Sequence, residues 1–339
     1  LLAENLKKRN IFTLILMDRM KALVLNTLHR APDYQDIEMP EPGPGESLVQ
    51  IKAAALNHRD LYITQGQYAG IQMPCILGSD GAGISGGKEV IIFPSLDWGE
   101  DARAQGKQFR VLGMPDHGTF GEYFKGPTTH LYPKPSHLTW QEAAALPLAG
   151  LTAWRTLFTR CGCKQGDQVL ITGIGGGVAL MALQFALAAG AEVYVSSGSA
   201  VKIEKALALG ARGGVLYTET GWDKSLKQQA GGFDIVIDSA GGPGFAQLPG
   251  LCHPGGRIGI YGGTMGKIDG ISPQILFWKQ LSILGSTMGD QHDFEAMLDF
   301  VGKHQIKPVL DQVFELSEGA QAFERMASGA QFGKIVLNV

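Results

Sequence analysis

One stretch limits what this chain can fold into more than any other. Gln168-Val-Leu-Ile-Thr172 is a short apolar run of strand type. Thr172-Gly-Ile-Gly-Gly-Gly-Val-Ala179 follows it, and Val178, Met181, Ala182, Phe185, Ala186 and Ala189 then recur at helical spacing until Gly190. Strand, glycine-rich turn and helix make a specific arrangement. Glycines let the backbone turn sharply and come close to a ligand. The helix start offers free N–H groups and a positive dipole end. A glycine string alone says little, but in this context it reads as a pyrophosphate cradle for a dinucleotide. The candidate cofactor contacts are Gly173, Gly175, Gly176, Gly177 and Val178, with Ala179 filling a position that must stay small for helix packing.

The end of the next strand bears on which dinucleotide. Sites for NAD usually place Asp or Glu there, about 20 residues on, to bind the ribose 2′-hydroxyl. Here Glu192-Val-Tyr-Val-Ser196 runs into Ser197, Gly198 and Ser199 with no acid, and Lys202 follows in the next turn. Hydroxyls, a helix start and a cation suit a 2′-phosphate, so the expected cofactor is NADP(H). Ser199 could instead be only an N-cap and Lys202 only a solvated surface residue. The missing acid is the stronger argument.

The alternation continues. A helix over Ala200–Leu209 is followed by strands at Asp234–Asp238, Arg257–Tyr261 and Leu281–Gly285, which predicts a parallel sheet covered on both faces. Before it, Met20 to about Pro135 reads as β structure. Strand-like runs lie at Lys21–Leu25, Leu48–Ala53, Glu89–Phe93 and Phe120–Phe124, with Pro40, Pro42, Gly43, Pro44 and Gly45 punctuating a loop. Thr139 and Glu142 form a candidate capping box, opening an apolar helical stretch, Ala143–Phe158, broken at Pro147. After Gly285 come a helix (Phe294–Gly302), a strand, a helix (Glu318–Ser328) and a last strand (Lys334–Val339) expected to return to the first domain. A length of 339 residues suits two domains. The division expected is an N-terminal extension at 1–19, a catalytic domain at 20–138 and 286–339, and a dinucleotide domain at 139–285.

Composition narrows the partners. The net charge of −3 carries no long run of one sign, so neither nucleic acid nor a polybasic membrane contact is expected. No apolar stretch approaches the ~18 residues of a membrane span. Lys7, Lys8 and Arg9 before the apolar run Ile11–Met17 mimic a signal peptide, but no small-x-small cleavage site follows. An upstream extension before Met17 or Met20 is the expectation. The four cysteines, Cys75, Cys161, Cys163 and Cys252, form no C-x-x-C pair, and scattered thiols suit a reduced, cytoplasmic protein.

Six ordered blocks then resemble one family. They are Asn57-His-Arg-Asp60 with Tyr62, Gly66 and Tyr68; Leu77-Gly-Ser-Asp-Gly-Ala-Gly83; Gly118-Thr-Phe-Gly-Glu-Tyr123; Ala145-Leu-Pro-Leu-Ala-Gly-Leu-Thr-Ala153; the glycine-rich turn; and Phe332-Gly-Lys-Ile-Val-Leu337. From Met20 to Val339 the chain resembles the medium-chain dehydrogenase/reductase superfamily, and most closely its zinc-independent, quinone-oxidoreductase-like branch. The resemblance implies an α/β protein. A Rossmann doubly wound parallel sheet domain would be inserted in a mainly-β GroES-like catalytic domain, with the active site between them. It implies that Asn57, Tyr62 and Tyr68 line the catalytic pocket. Thr152, Gly262 and Gly263 would border the cofactor, and Tyr217 would sit near the adenosine phosphate. Zinc-dependent members carry Cys-His and His-Glu where this chain has Asn57-His58 and Ser79-Asp80, and Pro94–Gly118 has no cysteine for a structural zinc, so no metal is expected. Asp60 reads as a structural acceptor. The implied activity is NADPH-dependent hydride transfer to a quinone, enone or other small carbonyl, in a homo-oligomer. The alternatives are an alcohol dehydrogenase-like enzyme acting on alcohols or aldehydes, and a noncatalytic NADP(H)-binding protein. One departure stands out: only Ile-Ser-Gly-Gly-Lys-Glu separates Gly83 from Val90, where the family usually has a longer stretch.

Overall fold

The computed structural model describes residues 19–339. The expected N-terminal extension, with Lys7–Arg9 and Ile11–Met17, lies outside the described residues except for Arg19, which opens the strand Arg19–Leu25.

The alternating region forms one six-stranded sheet, all parallel. Its strands lie side by side as Gly213–Leu216, Glu192–Ser197, Gln168–Ile171, Phe233–Asp238, Cys252–Ile260 and Ser282–Gly285. Numbered by their order in the chain, that is 3-2-1-4-5-6, the doubly wound order. The strand Gly213–Leu216 and the helix Trp222–Ala230 were not visible in the sequence pattern, because one is glycine-rich and the other largely polar.

The helix Gly177–Ala188 is buried nearly all round, from Ala179 to Ala186. The helix Pro147–Trp154 covers it on one side, and the sheet lies on the other. Its Phe185 meets Trp154 at 5.9 Å and Phe300 at 6.0 Å between ring centroids, which ties it to the helix Gln291–His304. Burying one such ring contributes about 1.5–3 kcal/mol. The expected capping box opens the preceding helix, Trp140–Ala144. Glu142 N–H donates to Thr139 Oγ1 at 3.2 Å, and Thr139 N–H donates to Glu142 Oε2 at 2.8 Å.

The second sheet is mainly antiparallel. Its path runs Leu131–Pro133, Lys88–Ile92, Asp80–Ser85, Glu46–Ala55, Lys334–Asn338 and Leu310–Glu315. The last strand therefore pairs with Glu46–Ala55, nearly three hundred positions earlier in the chain. The short stretch after Gly83 is a tight hairpin. Gly86 and Gly87 turn it with φ of 54° and 77°, and Ser85 pairs with Lys88. Two central residues at positive φ make the turn type whose twist suits paired strands.

The strand expected at Phe120–Phe124 lies three residues later, at Tyr123–Pro127. Phe120 instead sits where segments cross. It is fully buried, and its carbonyl accepts from Leu23 N–H at 2.8 Å while its own N–H donates to Leu77 O at 3.0 Å. A Cβ at the neighbouring Gly118 would stand 2.0 Å from Gly78 O, so backbone touches backbone there. Among the described residues, no helix is long and apolar enough to cross a membrane.

Candidate active site

A cleft of about 990 Å³ opens between the two sheets. It lies at the carboxyl ends of Gln168–Ile171 and Phe233–Asp238, where the parallel strand order reverses. That is the place where open α/β sheets hold ligands.

One wall is backbone. Gly173 and Gly175 adopt φ of 64° and 130°, which side chains rarely allow. Gly176 is the N-cap of Gly177–Ala188 and offers no side chain, so the first helical N–H groups face outward. A Cβ on Gly176 would meet nothing within 4 Å, which leaves the room that a pyrophosphate needs. Asp238 stitches the two strand ends together. It accepts from Thr172 Oγ1 at 2.6 Å and from Gly241 N–H at 2.8 Å. Gly173, Gly176, Gly177, Val178, Thr152, Gly262 and Gly263 all line the cleft.

The edge expected to take the 2′-phosphate is only partly as anticipated. Lys202 and Tyr217 line the cleft, together with Ser196. Ser197 does not: it is buried and its hydroxyl accepts from Ser199 N–H at 3.2 Å, bracing the turn. Ser199 is the N-cap of Ala200–Ala208 by position, but its side chain makes no capping bond and lies off the cleft lining. Gly175 is also off the lining, because Lys202 roofs it: a Cβ there would be 2.8 Å from Lys202 Cδ. Lys202 Nζ donates to Gly329 O at 2.8 Å, reaching across to the loop before the last strand. Burial lowers the pKa of this ammonium. The residues present fit a nicotinamide dinucleotide, with the glycine-rich turn at the pyrophosphate and Lys202 and Tyr217 at the far end of the second strand.

The facing wall is built of buried charge. The helix His58–Thr64 begins at Asn57, whose N–H donates to Asp60 Oδ2 at 2.8 Å. This is the structural acceptor role expected of Asp60. Burial pushes that carboxyl up to about 6, against the pull of Arg59. The Asn57 side chain turns the other way. Its Nδ2 donates to Asp80 Oδ2 at 2.9 Å, and its Oδ1 accepts from Lys334 Nζ at 2.7 Å. Lys334 Nζ also donates to Asp80 Oδ2 and to Leu56 O, both at 2.8 Å. Asp80 Oδ1 accepts from Leu148 N–H at 2.7 Å. Beside this cage, Arg59 donates to Ser79 Oγ and Leu112 O, each at 2.7 Å, and lies 5.2 Å from the ring centroid of Tyr68.

Tyr62, Tyr68 and Asn57 all line the cleft. Burial raises the Tyr62 hydroxyl pKa, so that group stays a phenol. His58 opens onto the cleft; the protein around it, and then Lys334 and Lys202, hold its pKa below the usual imidazole value. Sequence reasoning missed Lys334, Arg59 and Gln331 as cleft residues. Gln331 is buried there with an unpartnered Oε1. The available signal was a lone lysine at the head of an apolar strand, Lys334-Ile-Val-Leu337.

A dinucleotide cradle on one wall and a pocket of buried polar side chains on the other define the class of two-domain nicotinamide oxidoreductases. Family models match both parts: the alcohol dehydrogenase GroES-like domain over residues 43–136, and the zinc-binding dehydrogenase over residues 177–303. A zinc-type alcohol dehydrogenase-like protein of Leptosphaeria maculans is 36% identical across 89% of this chain and 93% of its own length. The quinone oxidoreductase of Rattus norvegicus is 28% identical across 89% of this chain and 92% of its own. The crystal structure of an NAD-dependent alcohol dehydrogenase, 36% identical, covers 94% of this chain and 100% of that one with a TM-score of 0.89. The chain belongs to the medium-chain dehydrogenase/reductase superfamily and is an oxidoreductase of it.

One matching family is described as zinc-binding, so the side chains at this site can be compared with what zinc requires. Catalytic zinc takes three Cys, His or carboxylate ligands at about 2.0–2.3 Å. Among the described residues no three such groups gather. At the two positions where zinc-dependent members carry ligands, Asn57 Oδ1 accepts from Lys334 Nζ and Ser79 Oγ accepts from Arg59, each at 2.7 Å. This donor set does not fit the metal.

Proposed function

We propose that this oxidoreductase uses NADPH to reduce a quinone, an enone or another small carbonyl without zinc. The observation that carries the reading is the cleft itself. The end of the strand Glu192–Ser197 has no acid to repel a 2′-phosphate and has Lys202 near it to receive one, and the facing wall has an amide and phenols in place of a metal site.

Bound NADPH would supply the hydride. The remaining tasks fall to the chain. The glycine-rich turn and the start of Gly177–Ala188 hold the pyrophosphate by backbone N–H groups. Thr152 and Met288 line the cleft together, with Thr152 Oγ1 3.9 Å from Met288 Sδ. An oxygen that gains charge as the carbonyl is reduced needs donors aimed at it. Asn57 Nδ2 has one N–H left after its bond to Asp80, and the Tyr62 hydroxyl is a second donor on the same wall. Tyr62 also suits delivery of the proton.

The test is a screen of NADPH oxidation across quinones, enones and aldehydes. Turnover with at least one class supports the reading, and none with any class defeats it. A second reading, oxidation of alcohols with NAD, is favoured by the likeness to the NAD-dependent alcohol dehydrogenase. NAD reduction by simple alcohols outpacing NADPH oxidation would establish it instead.

A homo-oligomer belongs to the same proposal. Among the described residues, Ser282–Gly285 is an edge strand with no further strand on its outer side, and Phe277 and Trp278 beside it are 66% and 83% exposed. Light scattering is expected to give at least twice the chain mass; a monomer at micromolar concentration would refute it. A cytoplasmic location fits four free thiols, and cell fractionation tests it.

A further inference from the structure

We propose that Lys334 is a positioning residue for this reaction: its ammonium fixes the Asn57 amide with one N–H turned to the substrate oxygen. The inference rests on the carbonyl-reduction reading of the cleft.

The donor count comes first. An ammonium has three N–H donors. Lys334 has three acceptors, Leu56 O, Asn57 Oδ1 and Asp80 Oδ2, all at 2.7–2.8 Å. Nothing is left for a substrate, so the lysine must act through a neighbour. Asn57 is that neighbour, and its orientation is dictated by charge. Flipping the amide would set its NH₂ against the ammonium and its carbonyl oxygen against the Asp80 carboxylate. Lys334 and Asp80 together therefore permit one orientation. In it, Nδ2 spends one hydrogen on Asp80 and keeps the other, and Asn57 lines the cleft.

The lysine stem adds a link to the cofactor wall. A Cβ on Gly177 would fall 2.6 Å from Lys334 Cδ, so the stem lies directly on the start of the dinucleotide helix. Gly333 N–H, one residue earlier, donates to Gly175 O at 2.9 Å. The amide is thus held in register with the cradle by one residue of the last strand. Stability alone does not account for this pair. Lys334 and Asp80 have side chains 4% and 0% exposed, and a buried ion pair is often no more stabilising than apolar packing of the same volume.

The test compares Lys334→Met with Lys334→Met/Asp80→Asn, which leaves no lone buried charge if the single variant fails to fold. Each is also combined with Asn57→Ala. In the wild-type background Asn57→Ala is expected to lower kcat by about a hundredfold, the loss of one oxyanion donor. The double variant is expected to lose about as much kcat, with KM and the NADPH dissociation constant within about threefold, and adding Asn57→Ala to it costs little more. Wild-type kcat in the double variant overturns the proposal, and so does a full, additive loss on adding Asn57→Ala. A second readout does not need turnover: the ¹⁵N-labelled side-chain amide of Asn57. Slowly exchanging Nδ2 protons in the wild type, lost in the double variant, support the lysine's hold. The same protection in both refutes it. If no acceptor is turned over by the wild type, the carbonyl reading fails on its own, and the amide spectrum still decides whether Lys334 fixes Asn57.

Discussion

The two walls of the cleft solve opposite physical problems. The cradle wall is backbone: Gly173, Gly176 and Gly177 present N–H groups and a helix dipole, and between them carry no charged side chain. The facing wall concentrates Lys334, Asp80 and Asn57 at almost no exposure, so each polar atom must be paired where it stands. At Gly176 the backbone wall has room for one methyl group without strain. A wall of buried charge cannot lose a member cheaply, because the partner left behind stays desolvated.

The largest expected effect breaks the charged wall. Asp80→Ala strands the Lys334 ammonium and leaves Leu148 N–H and the Asn57 amide without their acceptor. Urea denaturation is expected to show a loss of about 3–5 kcal/mol. Its counterpart on the backbone wall is Gly176→Ala. There φ is −76° and the added Cβ meets nothing, so stability should change by under about 1 kcal/mol. The methyl group enters the pyrophosphate space, and NADPH affinity should fall about tenfold or more. A stable Asp80→Ala protein, or a Gly176→Ala protein with unchanged affinity, would erase the contrast.

Lys202→Ala tests the far end of the cradle. A charge-assisted hydrogen bond is worth about 1.5–3 kcal/mol, and tenfold preference needs only about 1.4. Wild type should bind NADPH at least about tenfold more tightly than NADH, and the variant should lose most of that margin. Fluorescence titration with both nucleotides checks it. Equal wild-type affinities would remove NADP(H) from the proposal, and equal losses in the variant would remove Lys202 alone.

A smaller effect comes from Asp60, behind the charged wall. Its folded carboxyl sits near 6, above the unfolded value of 3.8. The folded state thus holds the proton more tightly, so stability contributed by this group is present at low pH and is lost as pH rises toward and through 6. Between about pH 5 and 7.5 the wild type should lose about 1 kcal/mol more than Asp60→Asn. Parallel pH dependence of the two proteins would show that Asp60 is not the cause.

The smallest effect is kinetic. Burial pushes all four thiols up to about 12, so alkylation of the folded protein should be slow and should speed up in urea.

The same contrast explains what could be read from the sequence. The cradle is assembled from consecutive residues, so strand, glycines and helix declare it in one pass from Gln168 to Gly190. The charged cage joins Asn57 to Lys334 across 277 positions and Asp80 to Lys334 across 254, and no local pattern spans such gaps. Lys334 was visible only as a letter in a closing block, and Asp80 only as a residue out of place for a metal site. Ser197 and Ser199 show the limit from the other side. Their proximity in sequence suggested a phosphate pocket, but backbone direction turned Ser197 inward. The strand expected at Phe120 slipped for a similar reason: Gly78 and Gly118 bring two backbone segments into contact, a tertiary constraint that alternation does not encode.

The most direct test of the central claim is NADPH turnover with a small quinone or enone before and after exhaustive dialysis against a strong chelator, with zinc measured in the same samples. Undiminished turnover at far less than one zinc per chain is the expected result. About one zinc per chain, with turnover abolished on its removal and restored on its return, would contradict it.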